Sequence, residues 1–145
     1  MFATNHGLAG IVIGATLSAP VAVPIAFVSH FIMDAIPHYG VDGKTRNSNL
    51  NYQKIVHIDT AIALSFAVIT AAVGRWDMFF VGWVAYSPDI YWVYMHFKEK
   101  KNFDLKPNNK FAKFHQKIQR EHKNGWIVEV PVAVSLCALF LYLIY

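Results

Sequence analysis

The sequence predicts an all-α fold, a polytopic integral membrane helical bundle in which residues 1–145 form a single domain. Of its residues 55% are hydrophobic and only 15% are charged, whereas about 25% are charged in an average soluble domain. Apolar runs long enough to cross a bilayer recur along the chain, separated by short polar or basic segments. In order, they predict an N-terminal broken helix hairpin, two further spans, an amphipathic basic helix and a C-terminal span.

The hairpin is predicted from prolines inside the first apolar run. Residues 7–36 are apolar, but Pro20 and Pro24 interrupt them. An interior proline removes a helix hydrogen bond and clashes with the preceding turn. We therefore predict two short helices, roughly 6–18 and 21–36. Small residues allow neighbouring helices to approach closely, and three lie on the first of these helices: Gly7, Gly10 and Gly14.

The remaining elements follow from apolar length and from turn residues. Residues 41–51 form a polar loop, 52–73 a span, and 78–97 a second span that is broken near Pro88. Residues 98–109 form a loop. Residues 110–123 are predicted as an amphipathic helix, in which Phe111, Phe114 and Ile118 alternate with lysines. Residues 126–145 are the last span.

The positive charges predict the orientation of the bundle. Nine of the thirteen Lys and Arg residues fall between Lys98 and Lys123. If residues 7–36 form a hairpin, the loop at 39–54 and the basic stretch at 98–125 lie on one side of the membrane. The positive-inside rule makes that side cytoplasmic. We expect a prokaryotic cytoplasmic membrane, contact of the basic stretch with membrane lipid, and no nucleic-acid partner, because no nucleic-acid-binding motif accompanies the charge.

The densest group of ionisable residues ends the first apolar run. His30 and Asp34 are four residues apart and share one helix face, and Pro37 ends the helix beside His38. Ionisable groups at membrane depth are costly and are rare unless they pair, relay protons or hold metal. Such a pair offers a nitrogen and a carboxylate to one metal ion. The alternative is a hydrogen-bonded His–Asp pair without metal.

Other candidate groups fall on the same predicted side. His115, His122 and Glu129 are seven residues apart and share a face if the helix continues through Gly125. Asp89 follows Pro88, where a broken helix would expose it to a site or use it as an N-cap. His57 and Asp59 do not face each other on a helix, so we expect one of them at the site. His6 is either a ligand or an interfacial residue.

The sequence thus predicts a divalent-metal site near the cytoplasmic face. Zinc is the expected ion, with manganese or iron as alternatives. The predicted ligands are His6, His30, Asp34, His38, His57, Asp89, His122 and Glu129. The carboxylates predicted to bridge metals or act as general base are Asp34, Asp89 and Glu129. The roles of Asp59, His96 and His115 stay open.

Three short patches resemble a known family. Asn5-His6-Gly7, the run from His30 to His38 and Ser87-Pro88-Asp89 are similar to segments of the small bacterial and archaeal membrane-bound metal-dependent hydrolases. The His-x-x-x-Asp piece also resembles the metal-binding helix of the zinc-dependent phospholipase C and S1/P1 nuclease group. Members of that group are all-helical phosphodiesterases that hold clustered zinc ions. They use their N-terminal residue as a ligand, a role that nothing around Met1 predicts here.

The expected function is hydrolysis of a phosphoester, or a similar bond, in a lipid-like substrate by metal-activated water. A transporter or channel for a metal ion or proton is a second interpretation, since intramembrane His and Asp residues also fit it. A noncatalytic subunit with a structural metal is a third, and a closed site with four protein ligands would support it. A homo-oligomer is compatible with the sequence.

Overall fold

The structure is a computed structural model that describes residues 1–41, 45–99 and 106–145. The predicted all-α class is confirmed, since this part of the chain is all-helical apart from a two-residue strand pair. The predicted loops 41–51 and 98–109 lie partly outside the described residues. The elements are α1 (Ala3–Thr16), α2 (Ala19–Asp34), β1 (His38–Tyr39), α3 (Leu50–Ala72), α4 (Trp76–Lys98), α5 (Lys110–Ile118), β2 (Glu121–His122) and α6 (Trp126–Ile144).

The first helix lies at the centre of the bundle. α1 and α2 form the predicted hairpin, and α1 also contacts α3, α4 and α6. A Cβ atom at Gly10 would lie 2.6 Å from the Cβ of Ala85, and one at Gly14 would lie 2.9 Å from the carbonyl oxygen of Asp77. The predicted close approach is therefore confirmed at these two glycines, and α4 is the neighbour. Gly7 faces open space.

Two apolar clusters fill the interior away from the polar end. One consists of Leu8, Ile11, Met78 and Phe140, and the other of Ala22, Ala26, Val81 and Ala85. The outer surface of the helices is also apolar, with many large hydrophobic side chains exposed. α3 and α6 are long and apolar enough to cross a membrane.

The predicted break at Pro88 is wrong. α4 runs without interruption from Trp76 to Lys98, and Pro88 is buried within it. Proline has no N–H for the carbonyl four residues earlier, which here belongs to Val84. The hydroxyl of Ser87 donates to that oxygen at 2.8 Å, so the carbonyl stays paired. Asp89 therefore lies in the middle of a continuous helix and caps no helix end.

The amphipathic helix is shorter than the predicted 110–123. α5 ends at Ile118, and Gln119 turns out of the helix with φ −58° and ψ 127°. The chain then forms β2, which pairs in parallel with β1 in the register His38↔Glu121 and Tyr39↔His122. The predicted alignment of His115, His122 and Glu129 on one helix face is therefore wrong.

The strand pair marks one end of the bundle, here called the β-pair end. An ion pair between Arg46 and Glu121 joins the loop after β1 to β2, and α6 begins beside β1. A Cβ at Gly125 would overlap the backbone of His38, so this junction requires glycine. Arg75 lies at the opposite end, where it donates to the carbonyl oxygen of Leu143 at 3.2 Å. Parts of both basic segments thus share one end.

Candidate metal centre

Asp34 is the hub of a cluster of imidazoles, here called the Asp34 centre. Its Oδ1 lies 3.1 Å from Nε2 of His6, and its Oδ2 lies 2.8 Å from Nε2 of His115 and 3.3 Å from Nε2 of His30. All four side chains are fully buried. Because α1, α2 and α5 each supply at least one group, the tertiary fold assembles the centre.

Local structure explains how the rings are positioned. His30 and Asp34 are one helical turn apart on α2, so both project to the same side. The ring of His6 stacks on that of His30, with centroids 3.9 Å apart and planes inclined by 21°. On α5, His115 and Ala112 are three residues apart and form its buried face. Packing of α1 and α5 against the end of α2 therefore brings the three imidazoles together.

In its neutral form, His30 presents the lone pair of Nε2 to the centre, 3.0 Å from Nε2 of His115. Its Nδ1 lies 2.8 Å from the carbonyl oxygen of Ala85, and a carbonyl oxygen only accepts hydrogen bonds. Nδ1 therefore carries the proton, and Nε2 of the neutral ring is the acceptor. A backbone carbonyl that holds the second ring nitrogen is the usual support for a metal-ligating histidine.

His115 has the opposite tautomer. Nε1 of Trp92, which can only donate, lies 3.2 Å from Nδ1 of His115. Nδ1 is therefore the acceptor, and the proton of the neutral ring lies on Nε2. From there it is donated to Oδ2 of Asp34 at 2.8 Å. His115 thus enters the centre as a hydrogen-bond donor.

Two overlapping triads have the spacing of metal ligands. Within each, one ligand atom per residue lies within 4.8 Å of the others: His6, His30 and Asp34 in one, and His30, Asp89 and His115 in the other. Ligation by Nε2 of His115 would move its proton to Nδ1, where it would face the N–H of Trp92. In the first triad, the proton on Nε2 of His6 that faces Oδ1 of Asp34 can move to Nδ1, which has no hydrogen-bond partner among the described residues. The first triad is therefore the better candidate for a metal site.

The residues of the first triad fit a divalent metal. Nδ1 of His6 is buried and has no hydrogen-bond partner among the described residues, so one ring nitrogen of His6 lacks the partner that burial normally demands. Two imidazoles and a carboxylate form a ligand set that suits zinc. The Oδ1 atom of Asp89 lies 3.7 Å from Nε2 of both His30 and His115. Its side chain is 20% exposed, so Asp89 marks the accessible side of the centre.

The start of the chain also reaches Asp34. The amino group of Met1 lies 2.5 Å from Oδ1 of Asp34. No sequence pattern indicates this contact, because it joins residues 33 positions apart and involves no side chain of Met1.

Glu129 and Asp59 hold the first turn of α1, and we call this group the α1 clamp. The amide of Phe2 lies 3.1 and 3.2 Å from the two carboxylate oxygens of Glu129, and the side-chain amide of Asn5 donates to Glu129 at 2.6 Å. Asp59 accepts from the amides of Ala3 at 2.7 Å and Thr4 at 3.1 Å. The first amides of a helix lack partners within it, and α1 has no side-chain cap of its own. The two carboxylates supply that cap from other helices.

The other predicted ligands lie outside both triads. His38 is buried in β1, where its Nδ1 donates to the carbonyl oxygen of Ile36 at 2.9 Å. Burial, and then the positive amino terminus, lower the pKa of His38 to about 4. His57 is exposed, with its ring 6.5 Å from that of His96. His122 is exposed in β2 and accepts from the amide of Asn124 at 3.2 Å. Glu129 belongs to the α1 clamp.

The structure therefore brings together His6, His30, Asp34 and Asp89 from the predicted set and adds His115, whose role the sequence left open. The available signal for His115 was its spacing of three from Ala112, which predicts a shared buried face. No signal identified Trp92 as the residue that selects its tautomer. Comparison of the chain with protein-family models, curated proteins and solved structures gave no match.

Proposed function

We propose that the protein is a membrane-embedded, metal-dependent hydrolase that acts on a phosphoester of a lipid-like substrate. The single observation that carries the proposal is the Asp34 centre, a buried cluster of imidazoles and carboxylates at one end of an apolar helical bundle. The proposed ion is zinc, held by His6, His30 and Asp34.

Membrane embedding is supported by the distribution of apolar surface. α3 and α6 have the length and composition of spans, and large apolar side chains are exposed on α2 and α4 as well. A bilayer around α1–α4 and α6 would cover this surface. In a polytopic arrangement of this kind, the β-pair end carries the basic segments and faces the cytoplasm. In a prokaryotic cytoplasmic membrane, the Asp34 centre would then lie near the level of lipid phosphates.

Three protein ligands leave a coordination position for water or substrate, as in catalytic zinc sites. A divalent ion held by His6, His30 and Asp34 would supply Lewis-acid polarisation and an activated water. Asp89 is the proposed general base, because its partly exposed carboxylate borders the centre. His115 holds the orientation of Asp34 through its Nε2 proton. Glu129 acts through the α1 clamp, which positions the helix that carries His6.

The transporter interpretation is weaker because the polar groups lie at one end. Among the described residues, the buried ionisable side chains are His6, His30, Asp34, His38, His115 and Glu129, and all belong to the β-pair end. At the far end Arg75 pairs with Asp77 at 2.8 Å. A transport path needs polar groups across the whole bundle.

The proposal is tested with purified protein reconstituted in liposomes that contain phosphatidate, diacyl phospholipids or polyprenyl phosphates. Zinc-loaded protein should release phosphate or head group, and chelator-treated protein should not. Asp34→Asn should be inactive, whereas Asp77→Asn, the same chemical change at the far end, should keep full activity. If no substrate turns over, the hydrolase proposal fails. Zinc binding without turnover would favour a structural metal, and movement of zinc or protons across the bilayer would favour transport.

A further inference from the structure

α5 combines three different faces within nine residues. One face carries His115 and Ala112 and is buried against the end of α2. The side chain of Asn109 caps the helix by accepting from the amide of Ala112 at 2.8 Å. The buried face holds α5 against the bundle through the same histidine that donates to Asp34. α5 is therefore linked directly to the Asp34 centre through the hydrogen bond between His115 and Asp34.

The second face of α5 is aromatic and exposed. Phe111 is 40% exposed and Phe114 is 54% exposed. Their ring centroids lie 6.1 and 5.6 Å from that of Phe31, on the last turns of α2. α2 itself exposes Phe27, Val28 and Ile32, so the two phenylalanines of α5 extend the apolar outer surface of α2. In a bilayer that covers α2, they lie at the edge of its apolar layer.

The third face is basic. Lys110, Lys113 and Lys117 are exposed, and the spacings of three and four residues place them on one side of the helix. At 100° per residue this side is roughly opposite His115. Among the residues that the structure describes, no ion pair involves these three lysines. Within this part of the chain, no acidic side chain neutralises their charges.

We propose that α5 lies in the plane of the membrane interface and binds anionic lipid head groups through Lys110, Lys113 and Lys117, with Phe111 and Phe114 in the acyl region. A basic face beside an exposed aromatic face is the pattern of interfacial helices, whereas a helix face that contacts only water has no use for two exposed phenylalanines. Charge complementarity selects an anionic bilayer surface as the occupant. The inference rests on the membrane embedding in the proposed function and is independent of hydrolysis.

The test measures lipid selectivity with spin-labelled phosphatidylglycerol and spin-labelled phosphatidylcholine in vesicles that contain the full chain. At low salt, the protein should restrict the motion of a larger fraction of the labelled phosphatidylglycerol than of the labelled phosphatidylcholine. Each lysine near an anionic surface contributes about fivefold, so Lys113→Gln/Lys117→Gln should reduce the preference by about tenfold or more. Lys54→Gln/Lys98→Gln removes two charges from the same end of the bundle but outside α5, and it should reduce the preference much less. Equal selectivity in the two double variants would overturn the proposal.

A second measurement locates the aromatic face. A spin label on Phe114→Cys, in a Cys137→Ser background, should collide with oxygen more than with a water-soluble nickel chelate. A label fully exposed to the chelate would also overturn the proposal. Failure of the α5 proposal can be distinguished from failure of the hydrolase proposal. If the protein selects anionic lipid but hydrolyses no phosphoester, only the hydrolase proposal fails. If alkaline carbonate extracts the chain from vesicles, membrane embedding fails and the α5 proposal fails with it.

Discussion

The Asp34 centre and the α1 clamp each enclose a buried carboxylate, yet they surround it with different partners. Asp34 is 0% exposed and meets three imidazoles as well as the amino group of Met1, whereas Glu129 is 1% exposed and meets the amide of Phe2 and the side chain of Asn5. An imidazole nitrogen can present a lone pair to a metal, but a peptide or side-chain amide N–H can only donate. Partner chemistry, and not burial, therefore distinguishes Asp34, the proposed metal ligand, from Glu129.

The two regions remain connected through α1. Asn5, which binds Glu129, precedes His6, which stacks on His30. The clamp thus sets the position of His6, a proposed ligand, through α1. Substitutions in the two regions should consequently affect different properties.

The largest expected effect is loss of metal in Asp34→Asn. The substitution keeps the size of the side chain but removes the charge of a proposed ligand. Loss of groups that merely support ligands costs about 10- to 100-fold in affinity, so we expect zinc binding to weaken by at least about 100-fold. Competition with a chromophoric chelator measures the affinity, and Asp77→Asn is the control. Equal affinities in the two variants would remove the metal assignment of Asp34.

A smaller effect, on stability, is expected for Glu129→Gln. Loss of the charged acceptor weakens the hydrogen bonds from Phe2 and Asn5, and hydrogen bonds to charged groups contribute about 1.5–3 kcal/mol. The free energy of unfolding in mixed micelles should fall by about that amount, while zinc affinity should change by less than about tenfold. A loss of zinc as large as in Asp34→Asn would show that the two regions form one site.

Sequence patterns predicted most of the helices and part of the centre. The helices follow from apolar length and proline positions, and the pairing of His30 with Asp34 follows from helical spacing. The continuity of α4 could not be predicted, because it depends on the Ser87 hydroxyl bonding the Val84 carbonyl. The role of Glu129 in the α1 clamp could not be predicted either, because its partner Phe2 lies 127 residues away in the sequence.

The smallest effect concerns His38, which belongs to neither region. The pKa of His38 is about 4 in the folded protein, whereas the ordinary value of 6.5 applies to the unfolded chain. Folding therefore favours the neutral ring. The stability from this difference is complete above pH 6.5 and is lost as the pH falls toward 4. Between pH 7.5 and 5.5 the unfolding free energy of the wild type should fall by about 1 kcal/mol more than that of His38→Gln. Glutamine can still donate to Ile36, so parallel pH profiles would contradict the prediction.

The most direct test of the ligand assignment is X-ray absorption spectroscopy of the zinc-loaded protein. If His6, His30 and Asp34 hold the ion, the first shell consists of nitrogen and oxygen at about 2.0–2.2 Å, with the multiple-scattering pattern of two imidazoles and no sulfur. His30→Ala should lose one imidazole from that pattern, and Glu129→Gln should leave it unchanged. A shell made only of water, or a spectrum that changes in Glu129→Gln but not in His30→Ala, would contradict the proposed centre.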